Sequence, residues 1–335
     1  MKIEPNLMAC YLRYTEDAKM GSKTMRFHDD GAPLKIRPVS LRRQDLFCLF
    51  LYFLGFSRIR NLILRLKRKP VARFVTFHDL PPETLGRFKA NLHFLKRKTN
   101  VVSLDDFFSG RLSSQKINVV ITFDDGYKSW VSEGVPALRE MGLPATFFVS
   151  SGFIGLSKED EAEFMRSKLR TGQQVTGDLN FEDLRRIVEE GFTVGGHTLN
   201  HRNLAQVRDS AQLRYEIVED KMRLERITGR EIEYFAYPSG AYCNPDIDLT
   251  EVLRDSGYRG AVTTVSGFNR TGSNPYLLHR ELTRASMSPQ VFRARVYGNY
   301  DAVQFVKQQV RMILQKGWEH DAVSLVRVRG RAKHV

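Results

Sequence analysis

The stretch that most constrains this chain's fold is Asn118–Tyr127, NVVITFDDGY. Val119, Val120, Ile121 and Phe123 make an apolar run interrupted only by Thr122. A strand buried on both faces reads this way, as in a parallel sheet covered by helices. The run ends in Asp124-Asp125-Gly126, two adjacent carboxylates and a residue free to take positive φ. Loops at the carboxyl ends of parallel strands are where α/β folds build sites. An Asp-Gly pair is also an ordinary turn signal, so the feature alone leaves site and turn both open.

A second stretch weighs toward a site. Gly191–His201, GFTVGGHTLNH, carries a short apolar run, a Gly-Gly pair and two histidines four residues apart. On a helix, imidazoles at i and i+4 face the same way and can reach one ion. Asp125, His197 and His201 together offer two nitrogens and a carboxylate, with room left for water and substrate.

TFDDGY, GGHTLNH and Phe235–Gly240 (FAYPSG) resemble, in order, the motifs of the polysaccharide deacetylases, the NodB-homology group of carbohydrate esterases. The resemblance runs over roughly Arg73 to Ser288. It implies an α/β fold, a distorted (β/α) barrel of about seven strands, here with helical N- and C-terminal extensions. It implies a hydrolase that removes N-acetyl groups from N-acetylhexosamine-containing glycans. Asp125, His197 and His201 would hold a divalent metal, Zn²⁺ first and Co²⁺, Ni²⁺ or Fe²⁺ as alternatives. Asp124 would be the base, and the pocket would be built from Tyr127, Tyr237, Pro238 and Gly240, with the Tyr127 N–H facing the oxyanion.

Two histidines compete for the general acid. Arg73–Phe77 (RFVTF) reads as the first strand and runs into His78-Asp79. A subgroup of the family, including the biofilm poly-N-acetylglucosamine deacetylases, carries its catalytic histidine in a YHD-like segment near the domain start, and FHDL is similar. The commoner layout uses a late Leu-x-His, which Leu277-Leu278-His279 matches loosely. The strand-then-histidine context favours His78 over His279. The sequence also departs from the family at Ala236, where an arginine ordinarily orients the catalytic aspartate, leaving the support of Asp124 unexplained.

The remaining chain divides around this core. Residues 1–45 show no sustained period and read as a poorly ordered arm, or as sequence upstream of a natural start such as Met25. No cleavable signal layout is recognisable at Met1. Residues 46–70 join an uncharged run, Leu46–Phe56, to apolar positions 59, 62, 63 and 66 set among Arg and Lys, ending at Pro70. Eleven residues cannot span a bilayer. A basic amphipathic helix of this kind lies on an anionic membrane surface, docks on the catalytic domain, or belongs to an uncleaved signal anchor that begins internally. Residues 71–288 form the catalytic domain, with Gly152–Leu179 as a polar insertion near the cleft mouth. Residues 289–335 form a basic helical extension, with Val303, Val306, Val310 and Leu314 at helical spacing.

Fifty-two Lys and Arg against thirty-eight Asp and Glu leave a net +14, which suits an anionic surface. No nucleic-acid recognition motif accompanies it, so no specific nucleic-acid partner is expected. Three scattered cysteines exclude a disulfide framework or a CxxC metal site. A haloacid-dehalogenase-type phosphatase is excluded because it needs one residue between its two aspartates, whereas Asp124 and Asp125 are adjacent, and it has no use for the histidine pair. The other alternative is a sugar-binding module of the same fold that has lost catalysis. The expected partner is an N-acetylated glycan or a lipid-linked sugar, at the cell envelope or in the cytoplasm.

Overall fold

The computed structural model describes residues 43–56, 59, 61–62, 69–156, 178–301 and 304. Within them, eight strands form one curled sheet: β1 (Ala72–Phe77), β2 (Asn100–Val101), β3 (Asn118–Asp125), β4 (Thr146–Val149), β5 (Thr193–Gly196), β6 (Tyr234–Ala236), β7 (Gly260–Val262) and β8 (Glu281–Leu282). The order is β7-β6-β5-β4-β3-β1-β8, with β2 paired to β3 off this path. Every strand pairing is parallel.

Residues 278–283 span the gap between the sheet's two ends. Leu278 bridges Val262 of β7, and its amide donates to Ala261 at 3.1 Å. Four residues later β8 lies beside β1, and Thr283 donates to the Thr76 carbonyl at 3.0 Å. The seven-strand path thus curls into a distorted (β/α) barrel.

Two-residue alternation divides the side chains into an inner and an outer set. Ala72, Phe74, Val120, Phe148, Tyr234, Ala236, Val262 and Leu278 form one cluster inside the curl. Val75, Phe77, Val119, Ile121, Phe123, Phe147, Val149 and Phe235 form the other, under the helices. The latter is rich in aromatic contacts, such as Phe123 stacked on Phe147 at 4.7 Å. The all-apolar character of β3 follows from both sets being buried.

The helices are α1 (Arg43–Phe53), α2 (Leu85–Lys98), α3 (Leu104–Phe108), α4 (Val135–Met141), α5 (Phe181–Glu189), α6 (Ser210–Thr228), α7 (Leu249–Asp255) and α8 (Pro289–Val296). Their ends carry local signals. Ser103 and Asn180 close capping boxes on α3 and α5. Gly142 and Gly229 take left-handed conformations after α4 and α6.

Helix α1 already includes Asp45, ahead of the expected boundary at 46. Asp45 is buried and accepts a 2.7 Å hydrogen bond from Arg295 of α8. Arg295 also donates to Glu281 at 2.7 Å, and Arg73 reaches Asp301 at 3.0 Å. This charge network on the outer face ties α1 and α8 to strands β8 and β1. Residues 1–42, most of 57–68, 157–177 and nearly all of 302–335 lie outside the described residues, and the expectations for Val303, Val306, Val310 and Leu314 fall there.

Candidate metal and catalytic site

Three strand ends converge to build the site. Asp125 is level with Val149, Val149 with Gly196, and Gly196 with Phe235, forming one row across β3, β4, β5 and β6. Asp124 and Asp125 close β3, and His197 follows immediately after β5. Strict alternation would send Asp125 to the outer face, but its φ of +92° turns the chain there. Gly126 follows with φ +110°, a conformation that L side chains avoid.

The expected donors come together. Asp125 Oδ1 lies 3.4 Å from His197 Nε2 and 3.2 Å from His201 Nε2. The donor atoms of all three residues lie within 4.8 Å of one another. Two donors bound to one ion at ~2.1 Å in tetrahedral geometry sit ~3.4 Å apart, so the spacing fits a metal. His197 Nδ1 is 2.6 Å from the Ala236 carbonyl, which calls for a proton on Nδ1 and leaves the Nε2 lone pair toward the cluster. Burial would raise the Asp125 pKa. Hydrogen bonds to both histidines and the nearby charge of His78 outweigh it and hold the carboxyl well below its ordinary range.

The route to this convergence differs from expectation in one respect. His197 and His201 do not share a helix face; the segment between them is a loop with a turn. Thr198 and His201 take positive φ, at 61° and 49°. Fixed partners hold this loop. Glu216, buried on α6, accepts from the Asn200 amide at 2.9 Å, from its side chain at 3.0 Å and from Arg202 at 2.9 Å. Asp220, also on α6, accepts from the His197 amide at 2.8 Å and the Ser151 amide at 2.8 Å.

Asp124 meets a residue the sequence left without a role. Arg280, fully buried within the curl, donates to both its carboxylate oxygens at 2.6 Å. Its Nε donates to the Thr263 carbonyl at 3.0 Å, fixing the plane of the guanidinium. Arg280 therefore supplies the support for Asp124 that the alanine at position 236 left unexplained. The available signal was its parity with Leu278 in the closing segment, which directs it inward.

The two histidines part on the same alternation. Continuing β1 by one residue puts His78 on the side of Phe74 and Thr76, and the Phe77–Phe123 register brings His78 level with Asp124. His78 acts electrostatically on Asp125, and its carbonyl accepts from Trp130 Nε1 at 3.0 Å. His279 stands between two inward residues, Leu278 and Arg280, so it points outward. Its ring packs against Gly267, where an added Cβ would sit 2.8 Å away. Its backbone exchanges 2.8 Å hydrogen bonds with the Asn269 side chain.

The expected pocket residues divide as well. Tyr127 is buried beside Asp125, with its hydroxyl pKa raised by burial and by that carboxylate. Tyr237 is not a pocket residue: it is fully buried and donates to the Tyr276 carbonyl at 3.1 Å, because β6 continues its apolar packing through it. Pro238 is buried, and Gly240 lies against Thr264. What this strand contributes to the cluster is the Ala236 carbonyl.

The family model for polysaccharide deacetylase matches residues 112–261. Over that span, somewhat under half of its length, the chain is similar to the polysaccharide deacetylase family. The matched span holds Asp124, Asp125, His197 and His201, and stops short of His78, His279 and Arg280. YxkH of Bacillus subtilis, a curated protein given the same family designation, is 25% identical over 178 residues, which cover 53% of this chain and 56% of that protein. The match thus spans little more than half of the relative's length. Among solved structures, the Streptococcus pyogenes deacetylase PplD covers 68% of this chain and 99% of its own, with a TM-score of 0.54 and 19% identity. IcaB from Ammonifex degensii covers 68% and 97%, with a TM-score of 0.54 and 23% identity. These two likenesses show the shared fold.

Proposed function

We propose that this chain is a metal-dependent hydrolase that removes N-acetyl groups from an N-acetylhexosamine-containing glycan, with its acid in the early-histidine position. The observation that carries the reading is the Asp125–His197–His201 donor cluster set beside an aspartate that is not part of it. Zn²⁺ suits two imidazoles and a carboxylate, and Co²⁺, Ni²⁺ or Fe²⁺ would be accepted by the same donors. Such an ion supplies a Lewis acid that polarises the acetyl carbonyl and lowers the pKa of water.

The chain's own groups account for the proton movements. Asp124, fixed by Arg280, takes a proton from the attacking water. The Tyr127 N–H, next after the Asp-Asp-Gly turn, would donate to the oxygen of the tetrahedral intermediate. His78 protonates the departing nitrogen as the C–N bond breaks, releasing acetate and a free amine. Without that proton the leaving group would be an amide anion, and the intermediate would collapse backwards.

The test uses full-length protein stripped with a chelator and assayed for acetate release from N-acetylglucosamine oligomers. Activity returning with Zn²⁺ or Co²⁺, and absent in His201→Ala under the same conditions, supports the reading. A His201→Ala protein that binds metal stoichiometrically by elemental analysis overturns the ligand assignment. A wild-type protein that binds metal and oligomer without releasing acetate favours the sugar-binding alternative.

A further inference from the structure

One face of α1 has no partner among the described residues. Its inner side is docked: Asp45 and Cys48 are buried, and Tyr52 stacks on Tyr297 with ring centroids 6.4 Å apart. Burial pushes the Cys48 thiol up to about 12, as expected of a group removed from water. The outer side presents Phe47, Phe50, Phe53 and Leu54, which are 45%, 56%, 74% and 64% exposed. Contiguous apolar surface of this kind on a soluble domain marks an interaction site.

Next to the C-terminal end of this helix is a cavity of about 620 Å³, and Tyr52 of α1 lines its wall. Lys69, Arg97, Lys98, Lys116 and Arg293 surround it, and no acidic side chain is among its lining residues. It opens at the N-terminal ends of β1 and β3, where Val71 and Ile117 line it. The Asp–His cluster lies at the opposite ends of these strands and shares no residue with it.

We infer that the outer face of α1 and this basic cavity form one docking surface for an anionic phospholipid bilayer. The aromatic face enters the boundary between headgroups and acyl chains, and a headgroup phosphate occupies the cavity. Charge complementarity selects this occupant. Aromatic side chains beside cations that have no carboxylate partner among the described residues match a surface that is apolar below and anionic above. The hydroxyls of Ser113 and Ser114, also in the wall, suit phosphate oxygens. The inference does not depend on the deacetylase reading.

The test is co-flotation of the full chain with phosphatidylcholine vesicles, with and without phosphatidylglycerol. The full chain should float with the anionic vesicles, and added salt should weaken this. Phe50→Ser/Phe53→Ser should remain in the soluble fraction with both vesicle types. Arg97→Gln/Lys98→Gln should lower affinity for anionic vesicles ~25-fold while leaving neutral vesicles unaffected. Both pairs are altered at the surface, and circular dichroism verifies that the fold persists. Failure of the wild type to float with anionic vesicles overturns the inference, as does equal flotation of the Phe50/Phe53 variant. A wild-type dimer that the same variant converts to monomer, without flotation of either, also overturns it and assigns the face to a second copy.

Discussion

The guanidinium of Arg280 grips the carboxylate of Asp124 through two 2.6 Å hydrogen bonds, with side chains only 0% and 4% exposed. A paired, fork-shaped contact fixes both the charge and the plane of the carboxylate. Such fixing suits the role of base proposed for Asp124, whose lone pair would have to meet one particular water.

Arg280→Lys should therefore separate positioning from metal binding. The ammonium keeps the charge and loses the fork. Loss of such a supporting partner typically lowers activity about 10–100-fold. Metal content should be unchanged by elemental analysis. The loss should fall on kcat with KM little changed, because the fork orients the carboxylate and does not hold substrate. A fall in activity matched by lost metal and a lowered Tm would mean that Arg280 serves only the fold.

Gly195 offers a test of packing beneath the metal cluster. A Cβ there would lie 2.5 Å from the Phe148 ring and 2.8 Å from the Tyr234 carbonyl, inside the curl. Backbone and a buried ring give way poorly, so Gly195→Ala should cost about 1–3 kcal/mol. Thermal unfolding followed by circular dichroism should register a drop in Tm. Gly86→Ala is the control, since nothing lies within 4 Å of its added Cβ and α2 should gain from the better helix former.

How much of this was legible in the sequence depended on how local each signal is. The β3 run, the Asp-Asp-Gly turn and the 197/201 histidine pair were readable because each sits within about ten residues, and chemistry and backbone need coincide there. The convergence of the histidines was anticipated for the wrong reason: spacing suggested a helix, whereas left-handed residues at 198 and 201 make a loop. Arg280 was not assigned because its partner is 156 residues away, and only closure between β7 and β1 brings them together. Tyr237 misled because a motif tyrosine beside a proline looks like a pocket wall, while its neighbours Phe235 and Tyr242 draw it into the core. The boundary at 46 left Asp45 in the arm for a related reason, since its partner Arg295 is distant in sequence.

Asp248 supplies a pH-dependent prediction away from the chemistry. It caps α7, accepting from the Thr250 amide and hydroxyl at 2.9 and 2.7 Å. The Thr250 hydroxyl bond, the first cause, lowers the carboxyl below its ordinary 3.8. A depressed folded-state pKa gives stability that is present above the unfolded value and lost as pH falls through the folded one. Asp248→Ala should cost about 1 kcal/mol near neutrality. Urea titrations of both proteins should show that gap narrowing once the pH drops below 3.8.

The last prediction distinguishes the two histidines by the face of the barrel each occupies. His78 continues the inward side of β1 and stands level with Asp124, across the cluster from the loop that carries His201. His279 faces outward against Gly267, separated from the carboxylates by the buried Arg280. A general acid must reach the departing nitrogen, and its loss typically costs about 10²–10⁴-fold in rate. His78→Ala should lose that much in kcat with metal retained, and an acetyl ester with a good leaving group should be hydrolysed with a smaller loss, because its departure needs no proton. His279→Ala should stay within a few-fold of wild type on both substrates. An inactive His279→Ala beside an active His78→Ala would remove the early-histidine assignment and require the closing segment to rotate His279 inward in the working enzyme.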